Sequence, residues 1–195
     1  MDVVVLGPLR ICDDHGVTRP VPTGRGGVLL AALIVHAGTV VSVDPLADYV
    51  WNHDPPRQVR AALQTMLTRL RQVVGASVAP RIRTAAPGYV FDLRADELDL
   101  RRFETLCERG YAAYAAADWD RAASHFADAL ELWQGEPLAG VESDRLRLRV
   151  AGVALGSAAL AAEVAVAMPP SAPRPASATA ASVTRSLRMK WVPFL

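Results

Sequence analysis

The chain has 195 residues, a formal net charge of +1 and 51% hydrophobic residues, which is enough for one domain with a buried core or for two small ones. The two cysteines, Cys12 and Cys107, and the four histidines are too scattered to form a disulfide framework or a metal site of known ligand spacing. The Met-Asp start lacks a basic and apolar leader, and the apolar stretch 150–168 is interrupted by Glu163. We therefore expect a cytoplasmic protein with reduced thiols and no membrane span.

The small net charge hides an uneven distribution. Residues 1–95 carry ten Arg and seven acidic residues, and residues 96–168 carry seven Arg and thirteen acidic residues. Residues 169–195 carry four cations and no acid. This asymmetry is typical of a protein in which one domain meets a polyanion and another does not.

Short strands are predicted at the start of the chain. Val3 and Val5, and then Leu9 and Ile11, recur at a spacing of two, which places each pair on one face of a strand. Gly-Pro at 7–8 and Asp-Asp-His-Gly at 13–16 separate the strands. The pattern predicts a small antiparallel sheet.

Two helices are predicted next. The apolar run 28–35 predicts a core helix, and the glycines at 24–27 lack the Lys-Ser/Thr pair of a phosphate-binding loop. A short strand at 40–43 precedes a second helix, for which Asp44 is the expected N-cap. The segment 52–56, with two prolines, ends that helix.

A third helix is predicted from Val59 to Val74, with an apolar arc and an opposite face without acids. The predicted apolar arc contains Val59, Leu63, Met66, Leu67, Leu70, Val73 and Val74. The opposite face and its flanks contain Arg60, Ala61, Gln64, Thr65, Thr68, Arg69, Arg71 and Gln72. A face that meets only water commonly mixes acids with bases to gain ion pairs between turns, so we expect this face to bind an anion. A merely solvated face is the alternative.

The stretch without acids extends beyond this helix. It contains Arg57, Arg60, Arg69, Arg71, Arg81 and Arg83. Two alternating runs, 81–84 and 89–93, are separated by Pro87-Gly88 and predict a hairpin. Helix, turn, helix and ribbon is the order of a winged helix-turn-helix, whose second helix enters the major groove of DNA.

Several motifs occur together in this chain. They are Gly-Pro-Leu at 7–9, Val-Val-Ser-Val-Asp at 40–44, the segment 51–56, Ala-Leu-Gln-Thr at 62–65, Arg-Leu-Arg at 69–71, Pro-Gly-Tyr at 87–89, and Asp-Glu-Leu-Asp-Leu at 96–100 through Phe103. With them, residues 3–165 resemble the Streptomyces antibiotic regulatory proteins, which are transcriptional activators of secondary-metabolite gene clusters.

The resemblance implies an α+β fold in two parts. The first, residues 1–95, would be an OmpR-type winged helix-turn-helix, the output-domain type of two-component-like phosphorelays, with an N-terminal antiparallel sheet, three helices and a C-terminal hairpin. The second, residues 96–168, would be an all-α, tetratricopeptide-like bacterial transcriptional activation domain. Residues 169–195 fit nothing in the family, and their Pro, Ala and Ser content predicts a disordered tail.

The resemblance also implies roles for individual residues. The recognition helix would present Arg60, Gln64, Thr65, Thr68, Arg69, Arg71 and Gln72. The wing would contribute Arg81, Arg83, Thr84 and Tyr89. A loop facing RNA polymerase would consist of Trp51, Asn52, His53, Asp54, Pro55 and Pro56. Met66 replaces a His of the family at the edge of the apolar arc, where we expect a packing difference.

The implied partners are double-stranded DNA and RNA polymerase. Family members bind direct repeats near promoters, so two copies side by side on DNA are expected. No cofactor, metal or catalytic residue is expected, and no Ser-His-Asp or paired-carboxylate pattern can be inferred from the sequence.

The second half independently predicts helical packing. Trp119, Ala122, Phe126 and Ala129 have the spacing of a tetratricopeptide unit, in which small residues let paired helices approach. The partner helix is expected at about 100–117, and a further helix from Arg145. Two alternatives stay open: a shortened DNA binder without activation capacity, and a helical protein-interaction module whose basic half is incidental.

Overall fold

The computed structural model describes residues 1–52 and 54–153. These residues belong to two compact units. The first contains Met1–Asp99 and Gly135–Val150, and the second contains Leu100–Gln134 and continues from Ala151. The predicted tail and His53 lie outside the described residues. The domain limits at 95 and 168 stay a prediction. No local sequence pattern indicates that residues 135–150 join the first unit.

The first unit opens with a three-stranded antiparallel sheet, as the alternating valines predict. Its strands are β1 (Asp2–Val4), β2 (Arg10–Cys12) and β3 (Thr18–Arg19), in the order β1-β2-β3. Val3 pairs with Ile11, and both side chains are fully buried. Val4 between Val3 and Val5 is also buried, at 2% exposure, so β1 is covered on both faces rather than on the one face that the alternation predicts.

Two distant parts of the chain tie down the backbone that follows β1. The Asp99 carboxylate accepts hydrogen bonds of 2.9 Å from the backbone N–H groups of Val5 and Leu6. The backbone N–H of Leu138, a fully buried residue, donates to the Val5 carbonyl at 3.0 Å. Residues 135–150 are thus an integral part of this unit.

Three helices follow the sheet: α1 (Gly24–Val35), α2 (Val43–Trp51) and α3 (Val59–Val74). α1 is almost wholly buried, and α3 has the predicted limits. The expected N-cap of α2 was wrong, because the helix begins at Val43 and the extended residue before it is Ser42. Asp44 instead lies in the first turn, where the helix dipole favours a carboxylate.

The buried row of α3 is narrower than predicted. Leu63, Leu67, Leu70 and Val74 are buried. Val59 and Met66 are half-buried, and Val73 is 40% exposed, so its placement in the core was wrong. These three residues are spaced by seven and lie on one edge of the predicted arc, which the neighbouring elements do not cover. The outward face is correspondingly wider.

A second antiparallel sheet completes the unit. It contains β4 (Val41–Ser42), β5 (Ile82–Ala85) and β6 (Gly88–Phe91), in the order β4-β6-β5. The predicted hairpin is confirmed, although Arg81 lies in a short 3₁₀ turn before β5. The arrangement is that of a winged helix-turn-helix, with α3 as the second helix of the pair and β5–β6 as the ribbon.

The second unit contains a helical pair, α4 (Asp99–Ala115) and α5 (Trp119–Glu131). The Asp118 side chain caps α5 by accepting from the Arg121 N–H at 3.2 Å. Ala113, Ala122 and Phe126 form a small buried cluster. Gly110 allows close packing, because a Cβ there would lie only 2.6 Å from the Phe126 ring. A further helical segment, residues 144–153, lies mainly in the first unit, to which residues 135–150 belong.

Gly88 generates a prediction about the second sheet. A Cβ at this position would lie 1.8 Å from the carbonyl oxygen of Val41, a backbone atom that cannot rotate away. We expect Gly88→Ala to lower the free energy of unfolding by roughly 1–3 kcal/mol because β4 and β6 must separate. Urea unfolding measures this. Gly152→Ala is the control, since nothing lies within 4 Å of its Cβ; equal effects would contradict the explanation.

Candidate nucleic-acid interface

One face of α3 is exposed and carries no acid. Its exposed polar residues are Arg60, Gln64, Thr65, Thr68, Arg69 and Gln72. These are six of the seven residues predicted for this helix face. Since the opposite side of α3 is buried, these six side chains are exposed to solvent together on one face of the helix.

Arg71, the seventh predicted residue, has a different position. It is half-buried, and its Nε and Nη2 donate to the backbone carbonyl of Ile82 at 3.1 and 2.9 Å. Two of its donors therefore hold β5 against α3. Sequence reasoning could not distinguish Arg71 from Arg69, because both lie on the flank of the same helix.

The two threonines of the face have engaged hydroxyl groups. Thr65 Oγ1 donates to the Ala61 carbonyl and Thr68 Oγ1 donates to the Gln64 carbonyl, each at 3.0 Å. Such bonds to the preceding turn are common for Ser and Thr within helices. The single hydroxyl proton of each threonine is thus directed back into α3.

At the wing, Arg81 has acidic partners from outside its own stretch. Its Nη1 lies 2.7 Å from Glu97 Oε2, and its Nη2 lies 3.3 Å from Asp14 Oδ2. Glu97 is almost fully buried. Burial opposes ionisation of Glu97, but hydrogen bonds from the Arg94 backbone N–H and the Arg81 guanidinium lower its pKa below the ordinary value. Arg81 is therefore bound into the frame of the domain.

Arg83 also has a partner, Asp92 across the ribbon, with an Nη2–Oδ1 distance of 3.0 Å. The hydrogen bond raises the pKa of Arg83 and lowers that of Asp92. The two side chains are 58% and 43% exposed, so water screens this pair and a competing anion can replace the carboxylate. Thr84 beside it is exposed, whereas Tyr89 is buried in the core.

Three of the six arginines are exposed and have no side-chain partner among the described residues. Within residues 1–52 and 54–153, Arg57, Arg60 and Arg69 make no ion pair or side-chain hydrogen bond. All three are exposed, and all lie in or just before α3. The positive potential of this surface is therefore concentrated on the helix.

A cleft of about 630 Å³ adjoins the start of α3. Its lining includes the first residues of α2 and α3, the side chains of Arg57, Arg60 and Gln64, and Pro87 at the ribbon turn. Neither Ser42 nor Gln58, the N-cap residues of these helices, makes a side-chain capping bond. Helix N-termini and two unpaired arginines together suit a phosphate group. The Asp44 carboxylate also lines the cleft and limits its positive charge.

The loop after α2 is exposed along most of its length. Asn52, Asp54 and Pro55 are exposed and Pro56 is half-buried, whereas Trp51 belongs to the core with 9% exposure. Asn52 adopts a left-handed backbone with φ of 55°. The exposed described residues of the loop are therefore two small polar residues and a proline, and the buried Trp51 side chain precedes them in the core.

Sequence reasoning missed the role of Asp13, which it took only as a turn residue. The Asp13 carboxylate is buried and bonds to Arg19, to the backbone N–H groups of His15 and Val17, and to Ser77 Oγ at 3.1 Å. Burial opposes its ionisation, but these donors outweigh it and hold the pKa well below the ordinary value. Through Ser77, Asp13 positions the loop that follows α3. An isolated turn motif carries no signal for such a contact.

Comparison with known proteins agrees with both halves of the chain. Residues 22–91 match the family model described as transcriptional regulatory protein, C terminal, and residues 98–168 match the bacterial transcriptional activator domain. Regulatory protein DnrI of Streptomyces peucetius is 33% identical over 161 residues, covering 77% of this chain and 58% of DnrI. Regulatory protein AfsR of Streptomyces coelicolor is 36% identical over 150 residues, covering 74% of this chain and 15% of AfsR.

A solved structure is similar over nearly the whole chain. EmbR of Mycobacterium tuberculosis, in complex with a low affinity phosphopeptide, has a TM-score of 0.73 and 25% identity, covering 98% of this chain and 50% of the EmbR chain. The present chain thus spans about three fifths of DnrI and a smaller share of AfsR.

The fold and the two matched models define a chain with an OmpR-type winged-helix domain followed by a bacterial transcriptional activator domain. The chain belongs to the Streptomyces antibiotic regulatory protein family, as its motifs predict. Among the described residues, no helix is both long and apolar enough to cross a membrane.

The different positions of Arg69 and Arg71 generate a second prediction. We expect Arg71→Met to lower the free energy of unfolding by about 1–3 kcal/mol, because the Ile82 carbonyl loses two charged donors. Arg69→Met should change it by less than about 0.5 kcal/mol, since Arg69 is exposed and unpaired among the described residues. Urea unfolding of both variants makes the comparison. A loss of equal size in the two would contradict the structural role of Arg71.

Proposed function

We propose that this chain is a sequence-specific, DNA-binding transcriptional regulator that activates a secondary-metabolite gene cluster and is not an enzyme. The observation that carries the proposal is the outward face of α3, which is exposed, free of acids and adjacent to unpaired arginines. A winged helix-turn-helix inserts this helix into the major groove. The family membership of the chain supports the same reading.

Base recognition is assigned to the middle of α3. Arg69 can donate two hydrogen bonds to guanine, and Gln64 and Gln72 can pair with adenine. These three side chains are available for contacts with bases, because all are exposed and none has a side-chain partner within the described residues. Each good bidentate pair contributes roughly 1–3 kcal/mol of discrimination between bases.

Backbone contacts are assigned to the two ends of the surface. Arg57 and Arg60 line the cleft at the starts of α2 and α3, where a phosphate would meet helix N-termini. Arg83 and Thr84 are the wing residues that a second phosphate can reach, with the phosphate replacing Asp92 as the partner of Arg83. Arg71 would act indirectly, by holding β5 against α3, and Arg81 and Tyr89 would act indirectly by holding the ribbon in the fold.

Two copies are expected to occupy direct repeats, as a dimer on DNA. RNA polymerase would be contacted through the loop 51–56, of which Asn52, Asp54 and Pro55 are the exposed described residues, and through the helical domain. The relatives DnrI and AfsR are named as regulatory proteins, and the activator role of this chain is proposed by analogy with its family.

The second unit is proposed to be tetratricopeptide-like. The Phe126 ring of α5 fills the space that a Cβ at Gly110 of α4 would need, and it shares a buried cluster with Ala122. The spacing Ala122-x₃-Phe126 is that of the repeat. This packing also supports a second candidate function, a helical protein-interaction module. The DNA-binding experiment separates the two candidates.

DNA binding tests the proposal directly, with duplexes selected by the protein from a random pool as probes. Arg69→Ala should cost about 1–3 kcal/mol on a selected duplex and relax the preference at one base pair. Arg60→Ala should weaken all duplexes alike and reduce the slope of log affinity against log salt by about one. Gel shifts across a range of salt concentrations measure both quantities.

Arg149→Ala is the matched control, because Arg149 is exposed and has no ion pair in the described part of the chain. It should leave affinity unchanged. A wild-type chain that binds no duplex at low salt would leave the interaction module as the better candidate. Binding that survives Arg60→Ala and Arg69→Ala together would contradict the assignment of this helix face.

Activation is tested by run-off transcription with purified polymerase, on a template with the selected duplex upstream of a weak promoter. Asn52→Gly with Asp54→Ala should abolish stimulation while DNA affinity stays unchanged, because both side chains lie on the exposed loop. Glycine tolerates the left-handed backbone of position 52. Stimulation equal to that of wild type would refute the loop assignment, and no stimulation by wild type would refute the activator role.

A further inference from the structure

The two threonines on the outward face of α3 share one restriction on their hydrogen bonding. Thr65 and Thr68 are both exposed, yet each hydroxyl proton is directed to a carbonyl of the preceding turn at 3.0 Å. A hydroxyl has only one proton to donate. In this geometry neither side chain can donate a hydrogen bond to a base, although each still carries an exposed methyl group.

The helix places these methyl groups beside other small apolar side chains. Residues four apart lie above one another on a helix surface, so Ala61, Thr65, Arg69 and Val73 form one row. Ala61 is exposed and Val73 is 40% exposed. Three of the four members of this row therefore present aliphatic groups, with Arg69 between them. Thr68 lies in the neighbouring row, between Gln64 and Gln72.

The major groove offers one apolar group for such a surface, the C5-methyl group of thymine. We propose that Thr65 and Thr68 are specificity-determining residues that recognise thymine through their methyl groups rather than through their hydroxyl groups. This inference rests on the proposed function, since it requires α3 in the major groove. It adds the base that the helix selects and the chemistry of the selection.

The spacing of the two residues fits neighbouring base pairs. Three residues correspond to a rise of about 4.5 Å along a helix, and successive bases on one strand are about 3.4 Å apart. The contacted thymines are therefore expected on adjacent or next-adjacent base pairs, close to the guanine assigned to Arg69. The competing reading is that each hydroxyl oxygen accepts a hydrogen bond from cytosine or adenine.

The test begins with the duplexes selected from the random pool. Each thymine of a selected duplex is replaced in turn by deoxyuridine, which removes only the C5-methyl group and keeps every hydrogen-bonding group of the base pair. We expect one or two positions at which this replacement weakens binding about fourfold, the change that corresponds to burying one methyl-sized group. Sensitivity at no position overturns the inference but leaves the proposed function intact.

Paired variants then assign the sensitive positions to residues. Thr65→Val and Thr68→Val keep the methyl group and lose the hydroxyl, so they should retain both affinity and sensitivity to deoxyuridine. Thr65→Ser and Thr68→Ser keep the hydroxyl and lose the methyl group, so they should bind the thymine duplex about as weakly as wild type binds the deoxyuridine duplex. They should show no further loss on deoxyuridine.

The opposite pattern, weak binding by the Val variants and normal binding by the Ser variants, would identify the hydroxyl groups as the readers and overturn the inference. Thr39→Ser is the matched control, because Thr39 is exposed on the turn after α1 and should have no effect on either duplex. Thermal melting of each variant verifies that α3 is intact. If the wild-type chain enriches no duplex, the proposed function and this inference both fail.

Discussion

The burial of one row of α3 is the constraint on which the first unit depends. Leu63, Leu67 and Leu70 are at most 2% exposed, and each such burial contributes roughly 1.5–3 kcal/mol. With that row fixed, the helix cannot rotate, and its opposite face has a single orientation. The exposed Arg, Gln and Thr side chains are therefore presented as a rigid set, which is what discrimination between bases requires.

Ion pairs and hydrogen bonds within the fold decide which arginines of the acid-free stretch remain without a partner in the residues that the structure describes. Arg81 and Arg83 meet Glu97, Asp14 and Asp92, and Arg71 donates to a backbone carbonyl, so these cations stabilise the ribbon. The other three, Arg57, Arg60 and Arg69, lie along the start and middle of α3, are exposed and have no side-chain partner among the described residues. Within a stretch of chain that has no acid, the tertiary structure thus distinguishes arginines that bond to neighbouring elements from arginines that stay exposed without a partner in the described part of the chain.

The first unit is also discontinuous in sequence, and this bears on how it can be studied. Residues 135–150 supply Leu138, whose N–H bonds to Val5, and Arg145, whose guanidinium lies 5.1 Å from the centre of the Tyr49 ring. Asp99 holds the same stretch of backbone as Leu138. A DNA-binding fragment that ends at residue 95 would lose all three contacts, so the whole chain is the appropriate material for binding experiments.

The sequence by itself determined the elements and their order. Periodicity predicted the limits of α3, alternation predicted the first sheet and the hairpin, and a set of motifs predicted the family. These signals depend on residues close together in the chain or on short sequence motifs. The sequence also indicated which side of α3 faces outward, apart from Val73 and Arg71. Only the tertiary structure decided which arginines are available, because Asp14, Asp92 and Glu97 reach them by folding rather than by adjacency. The same holds for the buried Asp13 network and for residues 135–150, whose contacts join positions far apart in the chain and leave no local pattern.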